Sequence, residues 1–247
     1  MASNLIKLFI PSKILPLNYL TKRTIKKAKG VIQSGPFKGI RYIEKAYCSS
    51  ICPKLAGTYE LEIRDTIAKL LKRDFDSFID IGSAEGYYSI GFAKYGNCKQ
   101  IISFECSAEA RKMQTQLAEL NGVNDRIVIH GQCEHEELRT ALKNQNNNLV
   151  LCDIEGYEHA LLDIRSVPEL ATATMMIECH NHVWDQMEAS LEKRFCKTHR
   201  VTSFKAQLYG NPNDYPFPNL YYWILPRKYK SFPIQDQRAP ETSWLYL

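Results

Sequence analysis

The sequence predicts an α/β fold in which a parallel sheet is covered by helices on both faces. Three observations support this prediction. Strand-like and helix-like patterns alternate through the middle of the chain. The first strand-like run leads into a turn bracketed by Gly82 and Gly86, and four such runs end in or beside a carboxylate. The length of 247 residues suits one large domain, or one domain with an appendage.

The predicted elements follow one another in a regular order. An amphipathic helix over 60–71 precedes the first strand. Apolar runs predict five strands, at 75–81, 100–105, 126–130, 149–153 and 174–179. Helical spacing predicts helices between and after them, at 87–95, 108–121, 134–142, 157–163 and 184–195. Two aromatic-rich runs, 199–204 and 220–225, predict a closing hairpin-like pair.

The turn after the first predicted strand limits which ligand it can hold. A dinucleotide site needs a glycine where this chain has Ala84, and a P-loop needs a lysine that is absent. Asp80 would also repel a phosphate. A carboxylate beside a glycine turn suits a ligand with amine and hydroxyl donors, such as S-adenosylmethionine (SAM). Glu105, 25 residues after Asp80, can accept both hydroxyl protons of a ribose.

A second group of polar residues predicts a reacting centre. Gly156 allows a sharp turn after the fourth strand, so Asp153 and Glu155 can point into one cleft. Glu178 and His180 are two apart on the fifth strand and share a face. We expect Asp153, Glu155 and His180 to be the catalytic residues, with His180 as a candidate base. A divalent ion held by Asp153, Glu178 and His180 is an open alternative, as is a buried structural role for His180.

Three stretches together resemble the FkbM-type branch of the class I SAM-dependent methyltransferases. They are Ile79-Asp-Ile-Gly-Ser-Ala-Glu-Gly-Tyr-Tyr-Ser, Phe104-Glu105 and Leu151-Cys-Asp-Ile-Glu-Gly-Tyr-Glu158. The resemblance covers about residues 55–195. It implies a seven-stranded Rossmann-like sheet with a final antiparallel strand, and methyl transfer, usually to oxygen. Glu85 departs from the pattern, because this branch commonly has a neutral residue there.

The same resemblance implies which residues hold SAM. Asp80, Gly82 and Gly86 would line its methionine part, Glu105 its ribose, and Asp153 would lie near the sulfonium and the acceptor. Tyr59 and Glu60 would help to hold the amino-acid end. The predicted cofactor site also includes Ser83, Tyr87 and Tyr88 in and beside the glycine turn. Gln132, which follows the third predicted strand, could border the adenine.

The charge of the chain is concentrated at its N-terminal end. Residues 1–43 contain nine Lys or Arg and no Asp or Glu, whereas the rest carries about −4. We therefore predict a basic appendage over 1–57 and a SAM-binding domain over 58–247. Residues 1–30 lack a run of 18 apolar residues. They are interpreted as a packed helix, a peripheral membrane contact or a targeting segment.

The sequence thus predicts a methyltransferase that acts on the hydroxyl of a small molecule or glycan. Methylation of RNA through the basic arm is an alternative, disfavoured because the body is mildly acidic. A SAM-binding protein without transfer activity is another. Eight scattered cysteines without a C-x-x-C pair indicate a reduced, cytoplasmic protein, in contact with a membrane if residues 1–30 bind one.

Overall fold

A computed structural model of the chain describes residues 16–143, 146–207, 210–236 and 238–247. These residues form two units by their contacts. Unit 1 consists of residues up to 61 together with 208–237, and unit 2 consists of 62–207 with 238–247. Residues 208–237 therefore group with the N-terminal segment, whereas the predicted division places them with residues 58–247.

Unit 2 contains one sheet, whose seven strands in the described residues have the order β3-β2-β1-β4-β5-β7-β6. Strand β7 is antiparallel to its neighbours β5 and β6, and the other six strands run parallel. The predicted Rossmann-like architecture with a final antiparallel strand is confirmed. The strands are β1 Asp74–Ile81, β2 Asn97–Phe104, β3 Ile127–His130, β4 Asn148–Cys152, β5 Thr174–Cys179, β6 Thr202–Lys205 and β7 Ser243–Tyr246.

Helices follow most of the strands, as the alternating pattern predicts. In unit 2 they are α3 Arg64–Leu70, α4 Tyr87–Tyr95, α5 Ala108–Asn121, α6 His135–Leu142, α7 Glu158–Leu161 and α8 Met187–Phe195. Unit 1 contributes α1 Pro16–Ala28, α2 Ile51–Ala56, α9 Leu220–Ile224 and α10 Arg227–Ser231. Short 3-10 helices lie at Asn124–Arg126, Pro168–Thr172, Pro212–Asp214 and Phe232–Ile234.

The alternation of side chains along β1 shows how the helices cover both faces of the sheet. Phe78 stacks on Phe92 of α4, with ring centroids 4.1 Å apart. Ile79 and Ile81 point to the opposite face, where they belong to a core that includes Leu138 of α6. Both faces of the sheet are therefore covered, and a ligand can reach only the edge where the strands end.

The predicted strand over 220–225 is wrong, because these residues form helix α9. The Asn219 side chain accepts a hydrogen bond from the Tyr222 backbone N–H and caps the helix. This local cap outweighs the strand preference of the aromatic residues. The antiparallel partner of β6 is instead β7, with Phe204 opposite Trp244.

Unit 1 has an aromatic core of its own. Leu20 of α1 packs with Tyr215, Tyr222 and Ile234. The Thr24 and Tyr215 hydroxyls lie 3.1 Å apart. Residues 16–28 are thus a packed helix, as the first of the three interpretations predicts, and residues 1–15 lie outside the described part of the chain.

The described residues contain no helix with the length and apolar character needed to cross a bilayer. All eight cysteines are free thiols. Five of them, Cys52, Cys98, Cys133, Cys152 and Cys179, are buried. They therefore serve as small apolar side chains within the packed interior.

Candidate functional site

The sheet order brings four carboxylates to neighbouring strand ends. Glu105 follows β2, Asp80 lies near the end of β1, Asp153 follows β4, and Glu178 lies in β5. Backbone hydrogen bonds extend past the strands: Gly82 N–H donates to the Phe104 carbonyl at 2.9 Å. The predicted row of acidic strand ends is therefore present in unit 2.

The glycine turn after β1 is tightly packed against the end of β4. Gly82 has φ +82°, and a Cβ atom there would lie 1.6 Å from the Asp153 carbonyl oxygen. Gly86, at φ +93°, precedes the first residue of α4. Ala84 between them also adopts a positive φ of +48°. Glycine is required at 82 both by the backbone angle and by the close approach of the two strand ends.

Glu105 ties this turn to the end of β2. One carboxylate oxygen accepts the Ala84 N–H at 2.9 Å, and the other accepts the Ser107 N–H at 2.7 Å. The Cys106 thiol also donates to this second oxygen at 3.5 Å. A carboxylate has about four lone-pair sites, so the first oxygen retains capacity for a further donor. Glu105 thus fixes the loop shape and can still accept ligand hydroxyls, which is the role the sequence predicts for it.

The other predicted cofactor residues of unit 2 differ in burial and in their hydrogen-bond partners. Asp80 is buried and accepts a hydrogen bond from the Ser89 hydroxyl of α4 at 2.5 Å. Tyr87 and Tyr88 are buried, with ring centroids 5.2 Å apart. The Gln132 side chain is exposed and donates to Glu134.

The predicted residue Ser83 belongs to a buried polar cluster between β2 and α5. Its hydroxyl donates to the Gln114 side-chain oxygen at 3.2 Å and accepts from the Ser103 hydroxyl at 2.7 Å. The Gln114 amide in turn donates to Ser103 at 2.7 Å. These bonds hold the turn against the helix, so the Ser83 side chain has a structural function here.

Tyr59 and Glu60, the remaining predicted cofactor residues, lie in unit 1. The Lys54 ammonium nitrogen is 4.8 Å from the centroid of the Tyr59 ring, close enough for a cation–π contact. The Glu60 backbone N–H donates to the Asp236 carboxylate at 3.2 Å. Their role toward SAM stays a prediction.

His180 lies among carboxylates at the end of β5. Its Nδ1 is 2.7 Å from Glu158 Oε1, while its Nε2 is 3.3 Å from Glu155 Oε2 and 3.5 Å from Asp153 Oδ1. Its side chain is 5% exposed, whereas that of Glu155 is 72% exposed. The structure therefore brings together the three residues that the sequence predicts to be catalytic.

Glu158 was not predicted to have a role, although it lies in the Asp-x-Glu-Gly-x-Glu motif. The residue is fully buried, and Oε1 also accepts the backbone N–H groups of Ile154 and Gly156, each at 3.1 Å. The sequence feature that could have identified it is a carboxylate three residues after the start of a turn. The turn is at Glu155 and Gly156, which both have positive φ. Such a turn folds the chain back, so that Glu158 faces the end of β5.

Two opposing effects act on the pKa of His180. Burial lowers it, whereas the hydrogen bond to Glu158 and the charges of Glu158, Glu178 and Glu155 raise it. The net shift is upward. Asp153 and the exposed His182, whose ring centroid lies 5.6 Å away, are further titratable groups near the imidazole.

Glu178 is engaged in a separate ion-pair network. Arg238 donates to Glu178 Oε1 at 2.6 Å and also pairs with Glu62. The other carboxylate oxygen of Glu178, Oε2, lies 3.8 Å from His180 Nε2. Arg238 was not predicted, because 60 residues separate it from Glu178 and no local pattern marks it.

A metal site remains a prediction here. The candidate ligand atoms of Asp153, Glu155 and His180 lie within 4.8 Å of one another. The set predicted from sequence instead contained Glu178, whose carboxylate neutralises Arg238. The geometry thus favours Glu155 over Glu178 as the third candidate ligand.

Comparison with known proteins gives distant likenesses only. No family model and no curated protein matches the sequence. A Klebsiella pneumoniae protein assigned as an O-methyltransferase is 12% identical, with 99% of this chain and 94% of that chain covered and a TM-score of 0.46. Precorrin 8W decarboxylase of Methanobacterium thermoautotrophicum is 13% identical, with 75% and 88% covered and a TM-score of 0.49.

A third similar structure is M. jannaschii TYW2 in complex with AdoMet. It is 15% identical, with 62% of this chain and 70% of that chain covered and a TM-score of 0.42. Other matches are tRNA methyltransferases, among them the M. jannaschii m1G37 enzyme and B. subtilis TrmK. Likenesses this distant do not establish a shared function.

Proposed function

We propose that this chain is a SAM-dependent methyltransferase of the FkbM type that methylates a hydroxyl group of a small molecule or glycan. One observation carries the proposal: His180, oriented by the buried Glu158, lies 3.5 Å from Asp153, which follows β4 beside the glycine turn. The free thiols suit a reducing compartment, so we propose that the protein acts in the cytoplasm.

The hydrogen-bond acceptors at the strand ends fit SAM. Asp80 and Glu105 are carboxylates, which accept hydrogen bonds from ammonium and hydroxyl groups. The turn lacks both the lysine of a P-loop and the second glycine of a dinucleotide site, and Asp80 would repel a phosphate. We propose that Asp80, Gly82 and Gly86 hold the methionine part, and that Glu105 holds the ribose. When bound, SAM supplies an electrophilic methyl group carried by a positively charged sulfur.

The chain's own residues would then activate the acceptor. With its Nδ1–H donated to Glu158, neutral His180 has a lone pair on Nε2. This nitrogen takes the proton of the acceptor hydroxyl as the oxygen becomes the nucleophile. Asp153 and Glu155, 3.5 and 3.3 Å away, stabilise the imidazolium that forms. Burial lowers the pKa of His180, but the neighbouring carboxylates raise it by more, and a higher pKa makes Nε2 a stronger proton acceptor.

Binding and transfer can be tested separately. Isothermal titration calorimetry should detect SAM and its demethylated product on the wild type, with binding weakened in Asp80→Asn and unchanged in the exposed control Asp125→Asn. No binding by the wild type would refute the proposal. If binding occurs without transfer to any acceptor in a broad screen of glycans and small-molecule alcohols, a SAM-binding protein without activity becomes the better assignment.

The base is tested once an acceptor is found. His180→Asn should still bind SAM but lose about 10²- to 10⁴-fold in kcat, the usual contribution of a general base. His182→Asn provides a matched control, because its side chain is an exposed neighbour of His180. Equal kcat for the wild type and His180→Asn would rule out the proposed role.

A further inference from the structure

Helix α9 of unit 1 presents an apolar face to solvent. Leu220 is 80% exposed, Ile224 70% and Trp223 48%. Positions i, i+3 and i+4 lie on one side of a helix, so the three side chains form one patch, called here the α9 face. Single exposed apolar residues are ordinary, but three on one helical turn indicate a surface that another phase or molecule covers.

The opposite side of α9 holds the helix firmly in place. Tyr222 is fully buried, and its hydroxyl lies 2.7 Å from the Pro212 carbonyl oxygen and 3.1 Å from that of Lys230. Asn219 caps the helix through its side chain. The exposed residues are therefore displayed on a fixed support, and the core of unit 1 does not need them.

Three cations follow this face closely along the chain. Arg227 and Lys228 are exposed one turn beyond α9. The Lys230 ammonium donates to the Trp223 carbonyl at 2.7 Å and lies 5.5 Å from the centroid of the Trp223 ring. The described residues of unit 1 contain twelve Lys or Arg against four Asp or Glu, a formal charge of +8. The surface thus combines apolar side chains with positive charge.

We propose that the α9 face docks unit 1 on an anionic lipid surface, independently of the proposed methyl transfer. Leu220 and Ile224 would enter the boundary between headgroups and acyl chains, Trp223 would lie at headgroup depth, and Arg227 and Lys228 would pair with lipid phosphates. RNA fits less well, because aliphatic side chains offer no ring on which a base can stack. This surface is distinct from the segment 1–30, for which peripheral membrane contact is one of the three interpretations of the sequence.

Vesicle flotation tests the proposal on the full chain. The wild type should float with phosphatidylcholine vesicles that contain about 30% phosphatidylserine and much less with phosphatidylcholine alone. Each cation near an anionic surface raises the binding constant for the membrane about fivefold. Leu220→Ser combined with Ile224→Ser should reduce vesicle binding at least about tenfold, because each methylene buried in the membrane raises the binding constant about fourfold. Val128→Ser is the control, since Val128 is a 43% exposed apolar residue of unit 2.

A charge variant separates the contact from general electrostatic attraction. Arg227→Gln with Lys228→Gln should weaken binding to anionic vesicles about tenfold or more. Lys193→Gln with Lys197→Gln, two exposed cations of unit 2, makes the same change in net charge and should have little effect. Equal loss in the two pairs would overturn the proposal, as would binding that survives loss of both aliphatic side chains.

Trp223 reports its own depth. Lipids brominated near the headgroup should quench tryptophan fluorescence of the wild type, and the quenching should be lost in Trp223→Phe. Two other occupants of the face have their own signatures. Dimerisation abolished by the Leu220→Ser and Ile224→Ser pair, or salt-sensitive binding of single-stranded RNA lost in Trp223→Ala, each without vesicle binding, would overturn the proposal.

Discussion

Replacing Glu158 by Gln tests the arrangement around His180 without changing its shape. Glu158 Oε1 accepts three hydrogen bonds, from His180 Nδ1 at 2.7 Å and from the N–H groups of Ile154 and Gly156 at 3.1 Å. An amide oxygen can accept the same bonds but carries no charge. The substitution therefore removes the negative charge in a fully buried position, and it also places an NH2 group where Oε2 has no hydrogen-bond partner among the described residues.

The expected loss follows from the strength of these bonds. Bonds to an ionised acceptor are roughly twice as strong as neutral ones, which themselves contribute about 1 kcal/mol each. Part of that difference is offset because a neutral amide costs less to bury. We expect Glu158→Gln to lower the free energy of unfolding by about 2 kcal/mol at pH 8.5, which is above the unfolded histidine pKa of about 6.5.

The loss should be larger at pH 5.5. Burial lowers the pKa of His180, but Glu158 and the neighbouring carboxylates raise it by more, so the folded pKa exceeds the unfolded value of about 6.5. A raised histidine pKa contributes stability that is complete below the unfolded pKa and disappears as the pH rises through the folded one. The variant loses the main partner of the imidazolium, and with it this extra stability.

Urea unfolding of the wild type and Glu158→Gln at both pH values measures the difference, and NMR of the imidazole reports the pKa directly. Glu119→Gln, at an exposed site on α5, is the control and should change stability by less than about 0.5 kcal/mol. A loss that is equal at the two pH values, or larger at pH 8.5, would refute the reasoning. So would an unchanged pKa of His180 in the variant.

Three further predictions concern the same unit. Gly82→Ala should cost about 3 kcal/mol or more in thermal unfolding, because the new Cβ meets the Asp153 carbonyl oxygen at a positive φ, whereas Gly131→Ala, with no atom within 4 Å, should cost less than about 0.5 kcal/mol. Arg238→Met should cost about 3 kcal/mol or more because it leaves two buried carboxylates without their cation, and Arg238→Lys should cost less. If His180 is the base, methyl transfer should persist in excess EDTA.

Each of these has a contradicting result. Equal melting temperatures for Gly82→Ala and Gly131→Ala would show that the two strand ends separate easily. A wild-type melting temperature in Arg238→Met would mean that the Glu62 and Glu178 carboxylates reach water. Loss of activity in EDTA, restored by added magnesium, would favour the metal site formed by Asp153, Glu155 and His180 over the base.

The parallel part of the sheet was predictable because its strands contain short apolar runs and end at or beside a glycine or a carboxylate. β5 was predicted at its observed bounds, Thr174–Cys179. The residues of the final antiparallel strand, β7, were not predicted, because Ser243–Tyr246 is short and becomes a buried strand only through its two neighbours in the sheet. Helix α9 was misassigned because its aromatic residues favour strands while a single capping side chain decides the outcome.

The same contrast holds for the candidate site. Asp153, Glu155 and His180 were predicted to meet because the ends of neighbouring parallel strands share an edge. The partners of these groups could not be predicted in the same way. Glu158 reaches His180 only because the chain reverses at Glu155 and Gly156, and Arg238 reaches Glu178 across 60 residues.

The position of β7 has a consequence for how the chain folds during synthesis. β6 has only β7 as a sheet neighbour, and 37 residues separate the two strands. At ordinary elongation rates of about 5–20 residues per second, a ribosome needs about 2 to 7 seconds to make that interval. Until then β6 and the open edge of β5 have unpaired backbone groups, which other nascent strands can bind. The period of greatest aggregation risk therefore falls between the synthesis of β6 and that of β7, when residues 62–207 of unit 2 have already been made.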